Sequence, residues 1–433
     1  MYRKWPKFIQ RSKTKYFRYL PGPLKRRMLK KSVQVPTSYP EGLTFKLAET
    51  KDEFEQAFAL LQQNYQETGL VDEKQYSLRV TKYHTLPTTH VLIAKMNDEV
   101  VGTVSLIEDG AFGLPIDHFA SVDDLRKQGR RIVEVSSLAV KRGTGLRRGK
   151  LFIPLTIFLF QVAYKCLRVD SLVAVTRTQA GWFYTDILGF DTIRSGGAEQ
   201  YKFVNAAPNS SAFHLDVKND QGFKHVASYN LDMAVTYFRE DMTSQVFQVP
   251  KNEFWVGAPT SFNPDWVGEM AGQRSTAASS MTEDEKIRLA SILASDDLVD
   301  SLKIERERLA TLKMRQTQRY SATNDGHLVF ESGMTSKARI IDISESGILL
   351  SAESIPLVST DGQVELTMDV SDQKAVKLKL QIKWIQSENN RLGLQILDAW
   401  PKRLWNDYYL CLKRTKEHYS RVNDTSDSKS SAA

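Results

Sequence analysis

Cysteine is nearly absent: Cys166 and Cys411 are the only two in 433 residues, far apart and in apolar surroundings. No disulfide framework and no cysteine-based metal site can be built from them, so a reducing cytoplasm is the expected compartment and no metal is expected. Long apolar runs are missing as well. The longest, LFIPLTIFLF, contains Pro154 and covers ten residues, whereas a bilayer span needs roughly twenty, so it reads as a buried helix. The N-terminus shows no signal-peptide pattern. Acidic residues are lacking from residues 1–31, which hold twelve lysines and arginines; subtracting these from the chain's +8 leaves the remainder at −4. The basicity belongs to a leader rather than to the folded body. Its cations alternate with Trp5, Phe8, Tyr16, Phe17 and Tyr19, which suits a solvated arm or adsorption to an anionic membrane surface or an acidic partner. A cytoplasmic protein, free or peripheral to the inner membrane, is the expectation. No basic or aromatic fingerprint of a nucleic-acid-binding fold follows the leader, so no nucleic acid polymer is expected as a partner.

What is present is an ordinary globular composition, 41% apolar and 25% charged, in a chain long enough for two or three domains. Residues 43–205 alternate strands and helices. GLTFKLAET leads into a helix in which Phe54, Ala57, Phe58 and Leu61 keep a helical period, and THVLIAKMNDEVVGTVSLIED is a hairpin turning at Asn-Asp. RIVEVSSLAV is a strand, followed by the loop KRGTGLRRGK and a long helix from Leu151 to Cys166. DSLVAVT is a further strand, AGWFYTDILGF a short helix, and AEQYKFV a closing strand. Residues 206–280 read as irregular. At Thr282 a capping box with Glu285 starts a helical stretch that breaks near SDD and runs on toward Arg315. Six strands then recur at short intervals, HLVFES, KARIIDIS, GILLSAE, QVELTMDV, VKLKLQIKWI and RLGLQIL, the pattern of a small barrel, with RLWNDYYLCLKR as a closing helix.

Arg315 and Arg319 lie four apart on the lead-in to that barrel, and DISESG places Asp342, Ser344 and Gly347 at a strand end. A guanidinium offers a planar fork that matches the O6 and N7 acceptors of guanine or a phosphate. Asp342 can accept from the ring N–H and amino group of guanine, Ser344 can donate to a phosphate or base edge, and Gly347 lets the backbone turn tightly. Taken singly, each piece is ordinarily a solvated helix face or a plain turn; their order is what carries the reading. The segment 313–413 resembles the PilZ domain, whose two motifs, R-x-x-x-R and [D/N]-x-S-x-x-G, stand complete here. The resemblance implies a six-stranded barrel that binds cyclic di-GMP through Arg315, Arg319, Asp342, Ser344 and Gly347.

Moving an acyl group from a thioester to an amine requires a base for the amine, polarisation of the carbonyl and an acid for the departing thiolate. Glu134, on the strand EVSSLAV, can serve as base or orient the amine, and Tyr184, in FYTDILGF, can protonate the thiolate. Strand, basic glycine-containing loop and helix start form an anion cradle for a phosphopantetheine arm. Its candidate donor-binding residues are Arg142, Gly143, Gly145, Arg147, Arg148 and Lys150. Residues 43–205 resemble the GNAT acyltransferase fold, and within it the N-acyl amino acid synthases, relatives of acyl-homoserine lactone synthases. Arg142 and Gly145 fit the family's donor loop, but Arg147 stands where a small residue is usual, which argues against ordinary acetyl-coenzyme A. Ser137 follows Ser136 where relatives often have Ser-Arg.

The resemblances together imply an α/β (α+β) GNAT-like domain with a mixed sheet, a helical connector and an all-β PilZ barrel. The boundaries are a basic leader over 1–40, the N-acyltransferase domain over 41–210, an extension and connector over 211–311, the barrel over 312–416 and a disordered tail over 417–433. The implied function is transfer of a long acyl chain from acyl carrier protein or acyl-CoA to an amino acid, regulated by cyclic di-GMP, with no covalently bound cofactor. The alternative is a non-catalytic cyclic di-GMP effector whose GNAT-like part binds a protein or lipid.

Overall fold

The computed structural model describes residues 36, 38–71, 76–141, 148–195, 210–240, 246–250, 254, 264–293, 297–304, 319–322, 324–387 and 390–413. The first of two seven-stranded sheets is built from β1 (Leu43–Leu47), β2 (Thr89–Met96), β3 (Glu99–Glu108), β4 (Ile132–Val140), β5 (Ser171–Arg177), β6 (Asp191–Ser195) and β7 (Ser210–Asp216), in the order β1-β2-β3-β4-β5-β7-β6. Every pair is antiparallel except β4–β5. The β2–β3 hairpin turns where Asn97 adopts φ 52, a left-handed conformation that asparagine tolerates.

The parallel β4–β5 pair needs a crossover, and α3 (Arg148–Gln161) supplies it, ending in a wider π turn over Val162–Cys166. α3 is apolar all round because it is covered on both sides. Leu151, Leu155 and Phe158 are buried in the core it shares with the sheet. Its other side meets α5 (Leu231–Phe238), where Phe160 packs 5.8 Å from Tyr237 and 4.9 Å from Phe238, ring to ring. Residues 206–280 are therefore not the irregular segment expected from the sequence. They supply α4 (Gln221–Ala227), α5 and the strand β7, which inserts between β5 and β6 and carries the sheet past residue 210. The closing strand expected at AEQYKFV lies outside the described residues, as do residues 1–35 of the basic leader and the C-terminal tail.

The opposite face of the sheet carries α1 (Lys51–Glu67), which Thr50 starts through a capping box with Glu53, the short α2 (Asp123–Lys127), and a helical layer of α6 (Pro264–Gly272), α7 (Glu283–Leu293) and α8 (Asp297–Ser301). The connector is thus docked rather than free: Phe54 packs 6.1 Å from Trp266, Lys51 pairs with Glu269 at 2.7 Å, and Lys82 with Glu285 at 2.5 Å. The Thr282–Glu285 capping box is formed in both directions. The helical stretch expected to run on toward Arg315 breaks after Ser301, where Lys303 takes φ 55, and its remainder over 305–318 lies outside the described residues.

The second sheet contains β8 (Tyr320–Ser321), β9 (Asp325–Phe330), β10 (Thr335–Ile343), β11 (Gly347–Ala352), β12 (Gln363–Ser371), β13 (Lys374–Gln386) and β14 (Arg391–Trp400). Its order β11-β14-β13-β12-β9-β10-β8 is closed by a β10–β11 pairing, so six strands form an antiparallel barrel with β8 paired to the end of β10. Alternating strand residues fill it, Leu366, Met368, Val376, Leu378 and Leu380 among them. A helix over 402–413 covers one end with Trp405, Tyr408 and Leu412.

Candidate functional sites

β4 and β5 pair only from Ile132/Ser171 to Val135/Ala174, although β4 continues to Val140 and β5 to Arg177. β5 instead keeps its full register with β7. The outer halves of β4 and β5 therefore splay apart. A β-bulge in β4, with Ser137 at φ 56, bends the strand where they separate. Such a slot exposes strand backbone on one edge and can take an extended, amide-bearing chain.

Glu134 sits just inside the paired end of this slot, opposite Ile107 and Val173, and is 1% exposed. Its Oε2 accepts the Ile116 N–H at 2.7 Å. Burial pushes its pKa well above the ordinary carboxylate range; the Ile116 bond opposes this and the charge of Asp117 adds to it. Tyr83 feels the same carboxylate, and its hydroxyl lies 3.2 Å from His118 Nε2. Tyr184 lies beyond the C-terminal end of β5, stacked on Phe213 at 5.3 Å and edge-on to Phe190 at 5.4 Å. Burial pushes its pKa up to about 12, with the Tyr65 phenol adding to the rise. Phe213 belongs to the α3 side of the sheet, whereas Glu134 shares a strand face with Ile132 on the other side. The two candidates thus flank the splay from opposite faces and do not hydrogen-bond each other.

Of the donor-binding residues, Arg142, Gly143, Gly145 and Arg147 lie outside the described residues; Arg148 and Lys150 open α3. Among the described residues no cluster of histidine, cysteine, aspartate or glutamate could hold a metal, and no helix is long and apolar enough to cross a membrane.

In the barrel, Arg319 and Asp342 form an ion pair. Arg315 lies outside the described residues. Ser344, 3% exposed, turns its hydroxyl to the Gly347 carbonyl at 3.3 Å, which its own N–H also reaches at 2.8 Å. The chain turns tightly from β10 into β11 over residues 344–346, with Ile343 opposite Ile348, and Gly347 opens β11 without a positive φ. Its requirement is close approach, since a Cβ there would lie 3.1 Å from the Leu394 carbonyl and 3.4 Å from Arg319 Nη2. A side chain at 347 would crowd the guanidinium.

The Arg319–Asp342 pair lines a cavity of about 570 Å³ between the two domains. The barrel also contributes Trp384 and Arg391; the other wall includes Leu86–Thr88, Asp109–Ala111, Asp117, Asp123, Arg126 and Arg288. A partly buried charge cluster bridges the domains beside it: Arg339 pairs with Asp170 and, at 3.2 Å, with Asp325, while Arg131 and Arg168 reach Asp325 at 3.5 and 3.6 Å. Burial and the neighbouring Arg339 lower the Arg131 pKa to about 10, so it remains charged at neutral pH.

Residues 56–212 match the family of the N-acyl amino acid synthase FeeM, and residues 313–402 match the PilZ domain. No curated protein matches the sequence. Among solved structures, FeeM from uncultured soil microbes is 22% identical over 44% of this chain and 94% of its own, with a TM-score of 0.36. The CoA-dependent acyl-homoserine lactone synthase BjaI is 17% identical over 49% and 95%, TM-score 0.34. The PilZ domain of YcgR from Escherichia coli, with c-di-GMP, is 15% identical over 28% and 100%, TM-score 0.19. The first match falls on the mixed sheet and the second on the six-stranded barrel.

Proposed function

We propose that this chain, an N-acyl amino acid synthase domain joined to a PilZ domain, transfers a long acyl group from a thioester on acyl carrier protein or CoA to the amine of an amino acid, under control of cyclic di-GMP. The single observation that supports the reaction most is the buried Glu134 at the mouth of the β4–β5 splay. The pantetheine arm lies along the splayed edge of β4, and the basic loop ahead of α3 takes its phosphate. The ionised Glu134 accepts a proton from the acceptor amine, whose nitrogen attacks the thioester carbonyl carbon. The C–N bond forms, the C–S bond breaks, and the departing thiolate takes the Tyr184 proton. A carboxyl held above the ordinary carboxylate range is a better matched base for an amine than an ordinary one.

The test compares lipid extracts of cells making the wild type with those of cells making Glu134→Ala. The reading expects N-acyl amino acids in the first that are missing from the second. Identical lipids, with both proteins folded, would refute it.

A further inference from the structure

We infer that the acyltransferase domain supplies part of the cyclic dinucleotide site, with Arg288 of α7 a ligand-binding residue across the domain boundary from Arg319. The inference rests on the reading of the PilZ domain as a cyclic di-GMP site and adds a second wall to it.

The charges around the interdomain cavity carry the argument. Its lining holds four arginines, Arg126, Arg288, Arg319 and Arg391, and four aspartates, Asp109, Asp117, Asp123 and Asp342. The totals balance but the distribution does not. Arg126 alone gathers three of the acids, Asp109, Asp117 and Asp123, and Arg319 pairs with Asp342. Arg288 and Arg391 are left with no carboxylate at ion-pair distance among the described residues. Arg288, on an exposed face of α7, donates to the Ala111 carbonyl at 2.9 Å, and Arg391 stands on the barrel wall at the start of β14.

A cyclic dinucleotide has one negative charge on each phosphodiester and two flat purines. Two guanidiniums without acids, one on each wall, match the phosphates. Trp384 supplies an aromatic plane: its indole lies against Gly393, where a Cβ would come within 2.1 Å of Nε1, and it is 39% exposed on the cavity side. Purines stack on such a surface. The volume falls within the range of small-molecule sites, roughly 300–1,000 Å³. A bound dinucleotide would touch both domains, and its acyltransferase wall is the loop whose Ile116 N–H holds Glu134.

The test is calorimetric titration of cyclic di-GMP into the full chain, as wild type, Arg288→Gln, Arg391→Gln and Arg319→Ala. Expected are loss of binding in Arg319→Ala, and a tenfold or greater rise in Kd for Arg288→Gln and Arg391→Gln with unchanged melting temperatures. The salt dependence of Kd should also be shallower in Arg288→Gln, which a purely structural role through Ala111 would not produce. Wild-type affinity and salt dependence in Arg288→Gln, with binding lost in Arg319→Ala, would overturn the shared site while leaving the PilZ reading intact. No binding by the wild type would overturn both.

Discussion

The Ile116 N–H donates to Glu134 Oε2 at 2.7 Å, and the residue after Ile116, Asp117, lines the cavity that Arg319 and Asp342 face from the barrel. One short turn thus touches the candidate base on one side and the candidate nucleotide site on the other. It is braced by Arg126, which holds Asp109 at 2.7 Å and Asp117 at 2.7 Å.

Replacing Glu134 with Gln keeps an acceptor for the Ile116 N–H and removes the base. Acyl transfer is expected to fall by about 10²–10⁴-fold. The same variant has a defined effect on stability. A carboxyl whose folded pKa lies above its unfolded value keeps a proton in the folded chain that the unfolded chain releases. Its contribution is complete below the unfolded pKa and is lost as pH rises through the folded one. Glu134→Gln should therefore be more stable than wild type at about pH 8, and the gap should close toward about pH 4.5, as read by denaturant midpoints at each pH.

Tyr184→Phe retains the ring on Phe213 and removes only the hydroxyl. The expected result is a fall in kcat of about 10²-fold with little change in KM or melting temperature. An unchanged kcat would remove Tyr184 as the acid.

His84 is buried, accepts the Thr81 N–H on Nδ1 at 3.1 Å and therefore presents Nε2–H to Ser105 Oγ at 3.1 Å. Burial lowers its pKa to about 3. The unfolded chain binds its proton first on acidification, so stability from this residue is full above the unfolded pKa and is lost as pH falls from there toward 3. A His84→Gln variant should lose stability less steeply than wild type between about pH 6.5 and pH 4, by denaturation at each pH.

Most of the barrel was legible in the sequence because its strands alternate with period two. Trp384 was not. It continues the series of buried positions Leu378, Leu380 and Ile382, and alternation alone would put it inside. The register slips between Ile382 and Trp384 and turns the indole out to the cavity. β7 escaped notice for a different reason: although Phe213 and Leu215 alternate with His214 and Asp216, the strand is short and follows Pro208, which reads as a break in the chain. Arg288 reads in sequence as one more charge on a helix face. Only the docking of α7 against the first sheet's domain brings it to the Ala111 loop. Glu134 and the Asp342–Gly347 motif were legible as residues, but the splay, the burial of the carboxylate and the close approach at Gly347 depend on strand register.

The domain interface has its own test. Asp170 receives the Arg131 N–H at 2.8 Å and the Arg339 guanidinium. Asp170→Ala leaves those donors without their acceptor and is expected to cost about 1.5–3 kcal/mol, read by denaturant unfolding. Arg339→Ala should lose less, since its side chain is somewhat more exposed than that of Asp170. Equal wild-type stability in Asp170→Ala would contradict the interface as described.

The most direct test of the central claim is acyl transfer by the purified full chain. Long-chain acyl thioesters, on acyl carrier protein and on CoA, are incubated with the amino acids, with and without cyclic di-GMP, and products are identified by mass spectrometry. The expected product is an N-acyl amino acid whose rate of formation changes with the nucleotide and which Glu134→Gln fails to make. A folded protein that binds cyclic di-GMP yet forms no such product from either donor would contradict it.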